Sequence, residues 1–522
     1  MYFPSILAFF PWPFIIITIG FLLYSRAARY RNYWKDQGVP HEKFSLLFGA
    51  QMKHLFTPLH LADEELYKKH GRLFGSFEDG KPVLFVGDPD LIKVALVKDG
   101  AKNQRRIFKY DDPILANLML NVEPEQWRRI RSATSAAFTS GKLRKMQETI
   151  DKCALHMAER LKEVAKRSED VNTKGYYGYF AFEAVSRCSF GARFSPKSDE
   201  ERAFVRSARH AFFTPVTPWI VLTAFFQRLG ESFHKARFNK YSFSFYRDAT
   251  TEMIKQRAES NTRHEDFLQM MLNAQEVSKE DVTKADQENS SPDFESSPLK
   301  PKDVKNLSEE EALAQCVLFF LAGQDTSSAT SSFASYFLAI NPDIQDKLRA
   351  EVDECFRKHG SSPPYDEVQK LPYLDCVVNE TLRIMPTTVR LERTPFEDYV
   401  LGDTGVKVLR DCAIIVPVTA IHNDPEFFPD PEIFNPDRFN KENINSIRPY
   451  TFLPFGAGPR HCMGKRFAFQ LVKTCLLHAV HSVEFVKCPR TKVPLEYLPG
   501  FGLLVPKELI VGIRERSRPV AD

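Results

Sequence analysis

One segment limits the fold more than any other. Ser308 is placed to cap a helix, and Glu311, three residues on, completes a capping box with it. An apolar run continues to Ile340, where Asn341-Pro342 stops it. At 1.5 Å per residue this predicts a helix about 48 Å long. A large core is needed to cover it, and 522 residues, 43% of them hydrophobic, supply one. Strand signals are few. LFGSFE (Leu73–Glu78) and PVLFVG (Pro82–Gly87) flank the hairpin dipeptide Asp79-Gly80. Helical periodicity then dominates to about Met385. Weak strand patterns return at KVLRDCAIIVPV and near the C-terminus. The expected fold class is mainly α with small β-sheets.

The middle of the long helix reads FFLAGQDTSSATSS. Gly323 costs about 1 kcal/mol of helix stability against Ala. Asp325 and Thr326 put polar groups where the helix crosses the core. Either they face outward, or they let a neighbouring helix pack closely, or they serve chemistry.

A second oddity is Cys462, set in FLPFGAGPRHCMGKRFAFQLV (Phe452–Val472). The nine cysteines are scattered, odd in number and without a CxxC pair, which excludes a disulfide framework and a zinc ribbon. Most read as small buried core residues. Cys462 does not. A thiolate ligates soft metals or iron, and as an axial haem ligand it donates electron density. Gly456 and Gly458 keep bulk away from it, and backbone N–H groups at the start of the following helix stabilise its charge. Gly464 permits close backbone approach, and Arg460 is placed to pair with a propionate. The plain alternative is a structural thiol beside a Gly-rich turn. A phosphate loop would need a GK[ST] ending, which is missing.

The net charge of +4 gives no basic stripe for nucleic acid, but it suits an acidic partner or a membrane surface. Met1–Ser25 carries no charged side chain, and FIIITIGFLLY is strongly apolar. Arg26, Arg29, Arg31 and Lys35 follow, which predicts a transmembrane anchor with the rest of the chain cytosolic. A cleaved signal peptide would need a basic start and a small-residue cleavage site. Residues 1–35 are thus assigned to an anchor and basic linker, and 36–522 to one domain. Ala274–Asn306, rich in Glu, Asp, Ser, Lys and Pro, reads as a solvent loop within it.

The stretch Phe455-Gly456-Ala457-Gly458-Pro459-Arg460-His461-Cys462-Met463-Gly464 resembles the haem-thiolate loop of cytochrome P-450 monooxygenases, FxxGxRxCxG, at every fixed position. Other segments agree, in the family's order. Ala322-Gly323-Gln324-Asp325-Thr326 resembles the AGxxT oxygen-activation segment, and Glu380-Thr381-Leu382-Arg383 the ExxR motif. Pro436-Asp437-Arg438-Phe439 resembles the PERF segment, with Asp for Glu, and Trp127 to Arg131 the WxxxR helix. The likeness covers nearly the whole chain after the anchor. EQWRRIRSATSAAFTSGKLRKM, DPDLIKVALVKD and RIMPTTVRLERTP are similar to the animal microsomal 3A-like enzymes that oxidise steroids and drugs.

This resemblance implies the cytochrome P-450 fold, with heme b held between the long helix and the cysteine loop. Cys462 would be the axial iron ligand, with Phe455, Gly464 and Ala322 against the haem. Arg460, Trp127, Arg131, Arg393 and Arg105 would meet its propionates. Glu380, Arg383 and Arg438 would form a structural cluster behind the loop. Thr326 and Asp325 would deliver protons, and a Thr326 hydroxyl turned away from the helix carbonyl would open the helix there. Electrons would come from NADPH through cytochrome P-450 reductase, with cytochrome b5 as a second partner, at the endoplasmic reticulum membrane. Phe320, Leu321, Thr387, Thr388, Val389, Phe501 and Gly502 would wall a pocket for a hydrophobic substrate, with more from Ile107–Leu120. His210–Gly230 reads as a core helix pair or a membrane-dipping entrance. Arg128, Arg129, Lys142, Arg144, Lys145, Lys465 and Arg466 would offer the reductase a basic face. His478 and His481 have no acid or third ligand near them in the sequence, so no metal site is expected there. Two rival functions remain: a haem-thiolate isomerase of a peroxide, similar to thromboxane synthase, and a non-catalytic haem binder. Neither needs a proton relay.

Overall fold

The computed structural model describes residues 28–44, 56–78, 81–100, 102, 113–191, 213–215, 266–272, 307–410 and 412–516, with single positions among 18–25 and 247–255. Its principal helices are α1 (Leu59–His70), α2 (Pro124–Ser135), α3 (Ser140–Lys166), α4 (Thr173–Phe190), α5 (Glu309–Ile340), α6 (Pro342–His359), α7 (Pro372–Ile384) and α8 (Lys465–Ser482). The expected capping box is formed at the start of α5. Ser308 Oγ accepts the Glu311 N–H at 3.1 Å, and the Glu311 carboxylate accepts the Ser308 N–H at 2.9 Å. Helix α5 is buried over most of its length, packed by α4, α7 and α8 in one helical core.

A second core lies in the sheet layer. Strands β1 (Leu73–Glu78) and β2 (Lys81–Val86) pair antiparallel with Glu78 opposite Lys81, leaving a two-residue connection as the Asp-Gly signal requires. The smaller strands include β3 (Asp170–Asn172), β4 (Phe213–Pro215), β5 (Arg390–Arg393), β6 (Ile414–Pro417), β7 (Glu484–Val486), β8 (Gly500–Gly502) and β9 (Ile510–Arg514). The larger sheet has the order β1-β2-β6-β5, with β2 and β6 parallel. The KVLRDCAIIVPV pattern contains β6. A three-stranded sheet joins β3, β9 and β7, and β8 pairs with β4.

The packed domain reaches further back than residue 36. Trp34, assigned by the sequence to the linker, is fully buried, and its indole N–H donates to Ser76 O at 2.9 Å. Gly75 makes room for that ring, since a Cβ there would lie 2.3 Å from Trp34 Cγ. The anchor itself, the Ala274–Asn306 loop and most of the His210–Gly230 patch fall outside the described residues. No helix among the described residues is long and apolar enough to cross a membrane.

Candidate active site

The site is built on one face of α5. Gln315, Leu318, Phe319, Ala322, Gly323, Thr326, Ser327 and Thr330, spaced by threes and fours, line a cavity of about 330 Å³. Phe320 and Leu321, expected in the wall, do not line it. They lie one step round the helix, where Phe320 packs on Phe182 and Phe190 of α4. Phe319 takes the place, stacked on Phe267 at 4.3 Å and flanked by Phe138 and Phe467. Gly323 lets α4 close up, because a Cβ there would stand 3.3 Å from Val185.

Thr326 faces the cavity, but its hydroxyl donates to Ala322 O at 2.6 Å. The expected local opening of the helix is therefore not present, and α5 is continuous through the segment. Asp325 is partly exposed and lies off the cavity wall.

Opposite α5 stands the cysteine loop. Its turn closes through the Cys462 N–H, which donates to Phe455 O at 2.8 Å, and the His461 N–H, which donates to Gly458 O at 2.9 Å. Gly456 and Gly458 adopt positive φ, +71° and +77°. Gly458 also lies hard against Leu96, where a Cβ would be 1.8 Å from the carbonyl oxygen. Cys462 is the one cysteine with exposed surface, yet that surface is cavity wall, deep within the protein. Burial pushes its thiol pKa up, opposed by the Gly464 N–H and the charges of Arg131 and Lys465. Gly464 has ordinary φ, and its nearest neighbour, Phe138, would be 3.7 Å from a Cβ.

Cationic and indole groups gather on the cavity wall. Trp127 and Arg131 share a face of α2, with the guanidinium 5.8 Å from the indole, and Arg460 stands 4.6 Å from the same ring. Arg131 also donates to His461 O at 3.0 Å. Arg393 does not line the cavity; its guanidinium donates to Glu392 O at 2.8 Å. Its strand neighbour Leu391 does line it. Arg105 lies outside the described residues. Of the expected substrate walls, Thr387 and Thr388 line the cavity, and buried Val389 does not. Phe501 and Gly502 are placed by backbone only, in β8; the next residue, Leu503, bridges to Thr388.

Behind the loop, Glu380 and Arg383 are fully buried and bonded by two contacts of 2.7 and 2.8 Å. Arg438 Nε is 3.4 Å from the same carboxylate, close enough for attraction but misaligned for a hydrogen bond. Arg383 also donates to His422 O at 2.9 Å and Pro431 O at 2.8 Å. The sequence reading missed His422. Its Nε2 accepts the Leu453 N–H at 2.9 Å, so Nδ1 carries the proton and donates to Arg383 O, also at 2.9 Å. Burial pushes its pKa down to about 3, keeping it neutral. This imidazole ties the ExxR helix to the segment entering the cysteine loop.

Several expected surface roles change. Arg129 is committed to Glu311 at 2.7 Å, and Arg144 to Asp366 at 2.8 Å. His478 and His481 do have acids beside them: Asp151 at 2.7 Å and Asp353 at 2.9 Å, both far away in sequence. No cluster among the described residues could hold a metal ion through His, Cys, Asp and Glu.

A thiol facing a polar-edged slot, with a helix wall opposite and two guanidinium groups and an indole on the wall, fits a flat apolar macrocycle with carboxylate arms. The fold and the donor set define a haem-thiolate protein. Comparison with known proteins agrees. The cytochrome P450 family profile matches residues 40–511. Cytochrome P450 3A11 of Mus musculus is 35% identical over 514 residues, 97% of each chain. Cytochrome P450 3A5 of Homo sapiens is 33% identical over 508 residues, 96% of this chain and 95% of that one. The chain belongs to the cytochrome P450 family and is an oxidoreductase of the monooxygenase type, with a thiolate-ligated haem iron.

Proposed function

We propose that the enzyme inserts one atom of O2 into a hydrophobic small molecule, with electrons from NADPH delivered by cytochrome P-450 reductase, cytochrome b5 acting as a second partner. The reaction balances as substrate C–H, O2, NADPH and a proton giving substrate C–OH, water and NADP+. One observation carries this reading: a buried apolar cavity has the Cys462 thiol on one wall and Thr326 on the other. When bound, the haem supplies O2 activation.

The chain's own residues supply the rest. Cys462 would ligate the haem iron through its thiolate, and Phe455, Gly464 and Ala322 would pack against the ring. Arg460, Trp127 and Arg131, which line the cavity, would receive the propionates; Arg105 and Arg393 have that role from the sequence likeness alone, Arg393 standing off the wall. Glu380, Arg383 and Arg438 hold the loop so that the sulfur keeps its place. Thr326, whose hydroxyl keeps a free acceptor site while donating to Ala322 O, holds water at the cavity wall, and Asp325 brings protons in from its partly exposed position. Phe319, Leu318, Met119, Leu120, Thr387 and Thr388 exclude bulk water and orient the substrate. Residues 1–25 anchor the protein at the cytosolic face of the endoplasmic reticulum, and the 3A names of its relatives support a lipophilic steroid- or drug-like substrate.

The test is turnover of lipophilic compounds by the purified protein with reductase, NADPH and isotopically labelled O2. The expected product is heavier by one labelled oxygen and needs NADPH. Rearrangement of a peroxide substrate in the absence of any NADPH-dependent product, or product carrying oxygen from water, would overturn the proposal.

A further inference from the structure

Gln315 sits on α5 one turn beyond the capping box, buried, with its side chain on the cavity wall. All of its polar atoms are used. Oε1 accepts the Met119 N–H at 3.0 Å, and Nε2 donates to Asn117 O at 2.8 Å and to Glu311 O at 3.1 Å. The amide orientation follows from these partners, since an N–H must meet the oxygen and a carbonyl must meet the NH2. The amide thus engages backbone groups two residues apart on residues 117–119. Met119 and Leu120, which follow, face the cavity.

The same segment is tied a second time. Gln126 of α2 donates to Asn117 Oδ1 at 3.0 Å and to Glu311 at 2.8 Å. Asn121 closes the turn by donating to Leu115 O at 2.8 Å. Its own backbone bonds, from the Asn121 and Val122 N–H groups to Leu118 O, are thus supplemented by side chains from the two helices that carry Trp127 and Thr326.

We propose that Gln315 is a specificity-determining positioning residue: its amide sets where the Met119–Leu120 wall stands, and so which sizes of hydrophobic ligand the cavity accepts. The inference rests on the proposed function for its ligand class. Gln315→Leu keeps the volume but leaves the Met119 N–H and Asn117 C=O without partners. Buried groups in that state move toward water, so the wall relaxes outward.

Two measurements test this on the haem-loaded full chain. Amide hydrogen exchange at Met119 should quicken at least 10-fold in Gln315→Leu. Spectral titration with azole ligands of rising size should show the ratio of large-ligand to small-ligand affinity rising several-fold, with the reduced CO-bound thiolate band retained. Gln315→Glu, whose buried carboxyl takes up a proton, keeps the acceptor for the Met119 N–H and one O–H donor for Asn117 O, so its exchange change should be smaller. Unchanged exchange and an unchanged size ratio in Gln315→Leu would overturn the proposal. So would loss of the thiolate band, or equal effects of the two variants. Exchange needs no turnover, so failure of the oxygenation reading would appear separately, as absent product in the unaltered enzyme.

Discussion

Gly458→Ala tests how the turn presents Cys462. Gly456 and Gly458 share the left-handed conformation, at φ +71° and +77°. That conformation costs an L-residue roughly 1–2 kcal/mol. For Gly456→Ala little more is expected, because the nearest atom to the new Cβ is a Leu391 methyl at 3.5 Å. For Gly458→Ala the new Cβ would be 1.8 Å from Leu96 O and 2.7 Å from its carbonyl carbon. Ordinary contact begins near 3.4 Å, so the two backbones must part by about 1.6 Å. Neither can yield by changing rotamer, and Leu96 lies in the helical turn Val94–Lys98 with its side chain buried. Metal–ligand distances tolerate only about 0.2 Å, so a shift of this size in the turn takes the sulfur out of bonding reach. Gly458→Ala should therefore lose most of its thiolate-ligated haem, while Gly456→Ala keeps most of it. The assay is the haem-to-protein ratio and the reduced CO-bound spectrum of both variants, with far-UV circular dichroism to confirm folding. Equal thiolate bands in two folded variants, whether kept or lost, would refute the reasoning.

Glu380→Gln removes the charge opposite fully buried Arg383 and should cost about 3–5 kcal/mol, read as a lower midpoint in denaturant unfolding. Thr326→Val removes the hydroxyl at nearly constant volume; product per NADPH should fall and peroxide rise while ligand affinity holds. Asp325→Asn should slow turnover, with the roughly 10²–10⁴-fold of a positioned proton donor as the upper bound. Burial holds His422 near pKa 3 and His60 near 4, below the unfolded value of about 6.5. The unfolded chain therefore binds more protons below pH 6.5. Stability should be flat above that pH and fall below it, by about 2 kcal/mol per histidine at pH 5. Unfolding free energies that match at pH 7 and pH 5 would contradict the burial of both groups.

Local chemistry made much of the fold legible. The capping box, the Asn-Pro stop and the Asp-Gly hairpin each act over a few residues, so the bounds of α5 and the β1–β2 pairing could be read directly. The cysteine loop was legible for the same reason, as two positive-φ glycines and a thiol fall within seven residues. What escaped was long-range. His422 joins Arg383 to Leu453, and acids for His478 and His481 come from more than a hundred residues away. No spacing announces such pairs. The misplacement of Phe320 and Leu321 is different, because the signal was present. Stepping back by threes and fours from Ala322 reaches Phe319, Leu318 and Gln315, and never Phe320 or Leu321.

The polar middle of α5 carries buried Ser327 Oγ and Gln324 Oε1 without partners, but four of its hydroxyls bond within the helix. Thr326 donates to Ala322 O, Ser328 to Asp325 O, Thr330 to Thr326 O and Ser332 to Ser328 O, at 2.6 to 3.0 Å. A side chain that returns to its own helix needs no partner from another element, so a run that reads as an interruption passes through the core unbroken. The longer amide of Gln315 reaches past its own turn and bonds a neighbouring segment as well. Chain length thus divides the labour on one helix face: short hydroxyls keep α5 continuous beside the thiol, and the long amide holds the wall that meets the ligand.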